Sequence, residues 1–218
     1  MKIQVLKAVS SANDAIAVDN RQRIQKGGVL ALNIMSSPGA GKTSLILSTI
    51  EKLRHKLRLS VIEGDIASDV DARKIDSTGI PVVQINTGGN CSLEAHMISS
   101  ALGKLKLSDL DVIIIENVGN LICPAENNLG ESKKVVIASL PEGDDKPLKY
   151  PLIFSRADAV VISKMDLLPH VDFNLKNFRR VVQGLNPGVR FFQVSCRTGK
   201  GIDAWCRWLH LQFKGVKT

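Results

Sequence analysis

The stretch Ser36-Ser37-Pro38-Gly39-Ala40-Gly41-Lys42-Thr43 constrains this chain more than any other. The apolar run 29–35 leads into it and the helix-like run 44–50 follows. A strand, a glycine turn, Lys-Thr and a helix make the context of a phosphate-binding loop. Gly39 and Gly41 can take positive φ, so the backbone from Pro38 through Ala40 to Ser44 can close around phosphate oxygens. Lys42 then sets a charge on the β- and γ-phosphates, the Thr43 hydroxyl reaches Mg²⁺, and the helix adds its positive dipole end. Ser36 stands where the usual pattern has its first glycine. The expectation is a nucleotide binder.

The chain of 218 residues contains no stretch resembling a linker. We therefore expect one domain, 1–218, with 1–26 as a helical extension packed on it. No apolar run reaches the length of a membrane span and the start lacks a leader's apolar core, so the expected location is cytoplasmic, without a membrane partner. A net charge of +8 invites a nucleic-acid reading. Its basic residues are scattered, however, with hardly any aromatics between them, which argues against one. The four cysteines, Cys91, Cys123, Cys196 and Cys206, are expected to be thiols rather than disulfides.

Apolar runs alternate with helix-like segments along the chain. Strands are expected at 29–35, 59–62, 82–86, 111–116, 134–138, 159–162 and 190–194. Helices are expected up to residue 26, then from 44, at 66–77, from 92 to about 104, and at 202–213. This is an α/β fold of the P-loop NTPase kind, a mostly parallel sheet flanked by helices on both faces.

In such a sheet the ligand lies beyond the carboxyl ends of the strands. Asp65 ends one strand and Glu116 another, and both are candidates to hold Mg²⁺ or order its waters, with Asp69 and Asp71 close enough to share the task. Gly119 offers its N–H near the γ-phosphate. Ser163-Lys164-Met165-Asp166 is the base-recognition candidate. The Asp166 carboxylate can accept from both N1–H and the exocyclic amine of guanine, a pairing adenine cannot offer, while the Lys164 stem lies over the ring. A common form of this motif begins with Asn, so Ser163 gives up part of that side chain's structural bonding. Ser195-Cys196 falls where many GTPases set the backbone against the guanine oxygen. Cys91 is expected to open a helix, whose dipole favours its thiolate, and Cys123 follows the Glu116 strand end. On the residues alone, half of a soft-metal site and two buried structural thiols stand level. Cys196 and Cys206 are read as core thiols and His96 as a surface residue.

Together these motifs resemble one family, the hydrogenase nickel-incorporation GTPase HypB, in the dimerising metal-handling branch that also holds the urease accessory GTPase. The resemblance runs from Ala12-Asn13-Asp14 and Asn20-Arg21 through Glu63-Gly64-Asp65, Asp71-Ala72 and Gln84-Ile85-Asn86-Thr87-Gly88. It continues in the stretch from Glu116 to Ala125 and in Glu142 to Pro151. It implies a slow GTPase using GTP/GDP and Mg²⁺, with Lys42, Thr43, Asp65 and Glu116 carrying the chemistry. It also implies a homodimer that helps deliver Ni²⁺ to the hydrogenase large subunit beside a nickel-handling partner protein. Cys91 and Cys123 match two family ligands for Ni²⁺ or Zn²⁺ at the dimer interface. The family histidine after Cys91 is Ser92 here, and the N-terminal cysteine motif and histidine tract of some members do not occur. Lys146 and Lys149 are candidates to touch nucleotide across the dimer. The rival readings are a GTPase serving another nickel client such as urease, a small-molecule kinase, and a nucleotide-gated docking protein without metal delivery of its own.

Overall fold

A computed structural model describes residues 8–216, with side chains from residue 12. The elements run α1 (Ala8–Lys26), β1 (Leu30–Ser36), α2 (Lys42–Leu53), β2 (Leu59–Asp65), α3 (Val70–Asp76), β3 (Val82–Asn86) and α4 (Ala95–Leu102). They continue with β4 (Val112–Glu116), α5 (Cys123–Glu126), β5 (Lys133–Ser139), α6 (Lys146–Lys149), α7 (Pro151–Ser155), β6 (Ala159–Ser163), α8 (Leu175–Leu185), β7 (Arg190–Gln193) and α9 (Ile202–Lys214). Ile3 and Leu6, which begin the expected N-terminal helical pattern, lie outside the described residues.

All seven strands pair in parallel, in the order β3-β2-β4-β1-β5-β6-β7. Side chains alternate across a strand, so each apolar strand feeds both faces of the sheet. Leu30, Leu32 and Ile34 of β1 turn to the face covered by α2 and α9, where Leu45, Ile50, Trp205 and Leu209 are buried. Ala31 joins Ile113 and Ile115 against Ile24 of α1 and Ile98 of α4 on the opposite face, and Met35 joins Val136 and Ile162 against Phe154 and Phe178. The Trp205 indole N–H donates to Thr49 Oγ1 at 2.9 Å, tying α9 to α2. No described helix is long and apolar enough to cross a membrane.

Two helices start later than expected, and α5, α6, α7 and α8 were not expected. α3 begins at Val70 rather than Ile66, because Asp65 Oδ1 accepts from the backbone N–H groups of Ala67 and Ser68 and makes a turn there. α4 begins at Ala95, so Cys91 lies ahead of the helix instead of opening it, and the dipole argument for its thiolate falls. α8 was not expected at all, although Asn174 caps its first turn through Asn177 N–H at 2.9 Å and Phe178 and Val182 bury one face.

A buried amide network joins the loops beyond β3 and β4. Asn117 Oδ1 accepts from Leu93 N–H at 3.0 Å, and Asn117 Nδ2 donates to Asn33 Oδ1. Asn20 Nδ2 donates to Ala95 O and Leu129 O, and Asn13 exchanges bonds with Ala95 N–H and Asn128 O. Asn127 Nδ2 reaches Ser92 Oγ at 2.8 Å and Leu93 O at 3.2 Å. α1 is therefore tied to both loops by half-buried Asn13 and by buried Asn20, whose Oδ1 is left without a partner.

Candidate functional site

Gly39 and Gly41 adopt φ of 71° and 101°, conformations that a β-carbon would strain. They turn the chain from β1 into α2, with Lys42, Thr43 and exposed Ser44 in its first turn. Ser36, in the position of the pattern's first glycine, is buried. Its hydroxyl donates to Ser37 O at 2.7 Å and meets the Lys42 Nζ at 3.5 Å. Gly119 packs so closely on Pro38 that a β-carbon there would approach it to 3.0 Å, which keeps the Gly119 backbone against the phosphate loop.

The Thr43 hydroxyl donates to Glu116 Oε1 at 2.8 Å. Burial pushes the Glu116 carboxyl up to about 7, against the pull of Lys42 and Thr43. Beside it in the β2–β4 register is Glu63, which the motif reading passed over; burial first, then the Glu116 charge, raises it to about 8. The signal was available, because Glu63 shares a strand face with Asp65, two positions on. Burial also works to raise Asp71, but hydrogen bonds from Lys74 and Thr43 outweigh it and hold that carboxyl low. Glu63 Oε2 and Glu116 Oε2 are buried without a hydrogen-bond partner. Two orphaned carboxylate oxygens beside a threonine hydroxyl are the donor set that a hard divalent cation satisfies, so the residues fit Mg²⁺. Asp65 lies at the rim of this cluster, with Oδ1 committed to its turn. Asp69 pairs with Arg73 at 2.6 Å and stands outside it.

The base loop meets the phosphate loop directly. Ser163 Oγ donates to Ala40 O at 2.7 Å, and Lys164 Nζ donates to Gly39 O at 2.8 Å. Serine thus retains a tether to the phosphate loop, more than its substitution for asparagine suggested. Lys164 has φ of 58°, unusual for a residue with a β-carbon, and this conformation aims its side chain across the loop. Asp166 accepts from Ser195 Oγ at 2.6 Å, with Arg197 at 3.8 Å, and the Ser195 bond leads in holding its carboxyl below the usual range. Cys196 is half-buried and free, its thiol pushed up by burial, and Cys206 is a buried thiol, as expected of core cysteines. Lys146 faces Glu142 at 3.8 Å and Lys149 pairs with Asp145 within its own chain.

Cys91 and Cys123 do come together, but as a disulfide, with Cα atoms 6.2 Å apart. This corrects the expectation of free thiols: the amide network sets the two loops at a spacing that a disulfide spans without backbone movement. Ser92 is turned away from the pair, buried at 4% exposure and bonded to Asn127. Exposed His96 faces Glu94 at 3.4 Å. Among the described residues no group of three or more His, Cys, Asp or Glu side chains could hold a metal ion.

The family model for the CobW/HypB/UreG nucleotide-binding domain matches residues 30–193. The hydrogenase maturation factor HypB of Rhizobium leguminosarum bv. viciae is 49% identical over 213 residues, 96% of this chain and 70% of that protein. A crystal structure of HypB from Helicobacter pylori in complex with nickel superposes with a TM-score of 0.89 at 39% identity, covering 94% of this chain and 96% of that one. The hydrogenase maturation factor HypB from Archaeoglobus fulgidus gives 0.87 at 38%, covering 93% and 99%.

Proposed function

This chain belongs to the CobW/HypB/UreG nucleotide-binding family and is a GTPase accessory factor of hydrogenase maturation, and on that premise we propose that it binds GTP in preference to ATP, hydrolyses it slowly and thereby controls nickel delivery to the hydrogenase large subunit. The observation that carries the nucleotide reading is the convergence of three strand-end loops. Lys42 and Thr43, Glu116 beneath them, and Asp166 are joined through the Ser163 hydroxyl on Ala40 O.

Lys42 leaves its perch on Ser36 to meet the β- and γ-phosphates, while backbone N–H groups from Gly39 to Ser44 cradle them. Thr43 would hold Mg²⁺, with the nearby Glu116, Glu63 and Asp65 ordering its waters. When bound, Mg²⁺ supplies the charge that neutralises the triphosphate as the leaving diphosphate develops. Asp166 reads the N1–H and amine of guanine, Lys164 covers the ring, and the backbone at Ser195-Cys196 meets its oxygen. Among the described residues, the two raised carboxyls beside the phosphate loop, Glu63 and Glu116, are given to Mg²⁺ in this reading rather than to a general base, which supports a slow turnover.

Nickel is cargo. Reduced Cys91 and Cys123 supply two thiolates per chain, and a GTP-dependent homodimer brings two such pairs to one interface. The relative solved with nickel supports this reading. The loop from Asn117 to Ile122 runs from the Glu116 end of β4 to Cys123, so loop motion on γ-phosphate loss reaches the sulfurs. The test is competitive nucleotide binding and turnover with purified protein. GTP should exceed ATP by at least about tenfold in affinity, and Lys42→Ala should abolish turnover. Equal affinity for ATP, or turnover unchanged in Lys42→Ala, would sink the reading.

A further inference from the structure

We propose that Cys91–Cys123 is a reversible thiol–disulfide site, closed to metal when oxidised and opened by a dithiol reductant, so that nickel loading depends on reducing power as well as nucleotide. The inference rests on the cargo reading above. It begins from a mismatch: the site that should carry a soft metal ion has both its sulfurs bonded to each other. Disulfide sulfurs are neutral and weak donors, whereas a thiolate is the group that binds nickel or zinc. Ser92 is buried and bonded to Asn127, so it cannot compensate, and His96 is engaged on the surface. As bonded, the site does not fit the ion.

The disulfide is not needed as a staple. Two of the three core clusters cover opposite faces of a complete parallel sheet, and a chain with that much buried aliphatic surface folds without one. The loops are already fixed by Asn117 on Leu93 N–H, Asn127 on Ser92 and Leu93, and Asn13 and Asn20 from α1. One scaffold therefore holds the sulfurs together whether they are joined or free. The two sulfurs also differ. Cys91 is exposed and open to attack, while Cys123 is half-buried and its Sγ accepts from Asn120 Nδ2 at 3.6 Å. That amide favours Cys123 as the departing thiolate.

The step balances. One thiolate of a reductant dithiol attacks Cys91 Sγ, and the S–S bond breaks with its electron pair leaving on Cys123. The second reductant thiol, deprotonated, attacks the mixed disulfide and releases Cys91 as a thiolate. The reductant departs as a disulfide, having given up two electrons and two protons, and the protein holds two thiolates.

Full-length protein, loaded with GDP or a non-hydrolysable GTP analogue, is equilibrated in mixtures of oxidised and reduced dithiothreitol. One portion is alkylated and weighed, and a second, not alkylated and freed of dithiothreitol, is titrated with Ni²⁺ while thiolate-to-metal absorption is followed. The expected result is a reversible change of two alkylated cysteines, mapped to positions 91 and 123. Reduced protein should bind nickel at least 100-fold more tightly than oxidised protein, with unchanged unfolding temperature and GTP turnover. Cys91→Ser and Cys123→Ser should bind nickel weakly in either buffer. A pair that remains alkylatable in oxidised dithiothreitol, or oxidised protein that binds nickel as tightly as reduced protein, overturns the gate but leaves the cargo reading standing. Reversible exchange with no cysteine-dependent nickel in the reduced form overturns both. A large drop in unfolding temperature on reduction would make the bond structural and overturn the gate alone.

Discussion

In the proposed reading, base choice turns on Asp166, whose setting is already built. Its carboxylate is preset by Ser195 at 2.6 Å, so the acceptors proposed for the guanine edge are oriented before nucleotide arrives. Asp166→Asn offers one donor in place of an acceptor and mismatches the guanine edge; GDP affinity should fall about 100-fold, with xanthosine diphosphate gaining relative to it, as competition binding would reveal. Glu63 and Glu116 give a second residue-scale expectation. Both carboxyls stand above the ordinary 4.5, at about 8 and about 7, so the native state holds protons that the unfolded chain has lost. Their stabilising effect is complete below about 4.5 and disappears as pH rises toward 7 and 8. In nucleotide-free protein without Mg²⁺, Glu63→Gln should flatten that decline and be the more stable form by several kcal/mol at pH 8.5, as urea unfolding at pH 5 and 8.5 would show. Lys42, Thr43 and Asp166 could be singled out because their motifs are contiguous in sequence. Glu63 was not singled out, because its proton affinity comes from burial and from lying level with Glu116 across a strand pair. The inward turn of Ser92 was hidden for the same reason: its partner Asn127 belongs to another loop.

At the scale of elements, the central strands β4 and β6 could be read because β-branched runs buried on both faces leave little ambiguity, whereas the edge strands β3 and β7 are only partly buried. Helix starts were less readable. They depend on local side-chain competition, such as Asp65 capping its own turn ahead of α3. α8 escaped notice because its buried face is carried largely by Phe178 and Val182 among many polar residues. Its Gly184 has open space around it, so Gly184→Ala should stabilise the protein by about 0.5–1 kcal/mol, measurable by denaturant midpoint. Gly130 is the opposite case. Its φ is 89°, and a β-carbon would lie 2.4 Å from Ala17 O and 2.8 Å from Arg21 N in α1. Gly130→Ala should push α1 from its seat, destabilise by about 3 kcal/mol and lower the unfolding temperature by roughly 6–12 °C. Because α1 carries Asn13 and Asn20, the same substitution should loosen the cysteine loops, visible as faster alkylation of the reduced pair.

For the molecule as a whole, ligand linkage offers the simplest check on the site. GDP with Mg²⁺ at a hundred times its dissociation constant should add about 2.7 kcal/mol of stability and raise the unfolding temperature by roughly 5–11 °C; ATP at the same concentration should add far less. The parallel sheet gathers all the strand-end loops on one edge, which is why residues as distant in sequence as Ser163 and Ala40 share a hydrogen bond. That arrangement was expected from the alternation of strands and helices; the bond between Cys91 and Cys123 was not, because a dithiol and a disulfide leave the same letters in the sequence. The short connection from Glu116 to Cys123 has a consequence for timing. If GTP and nickel bind as proposed, one loop that answers to both triphosphate and sulfur would give the protein a single clock, in which the lifetime of bound GTP sets how long a metal ion stays aboard. Slow hydrolysis would then be a dwell time for cargo, and on that reading stopped-flow release of nickel should keep pace with phosphate release rather than run ahead of it.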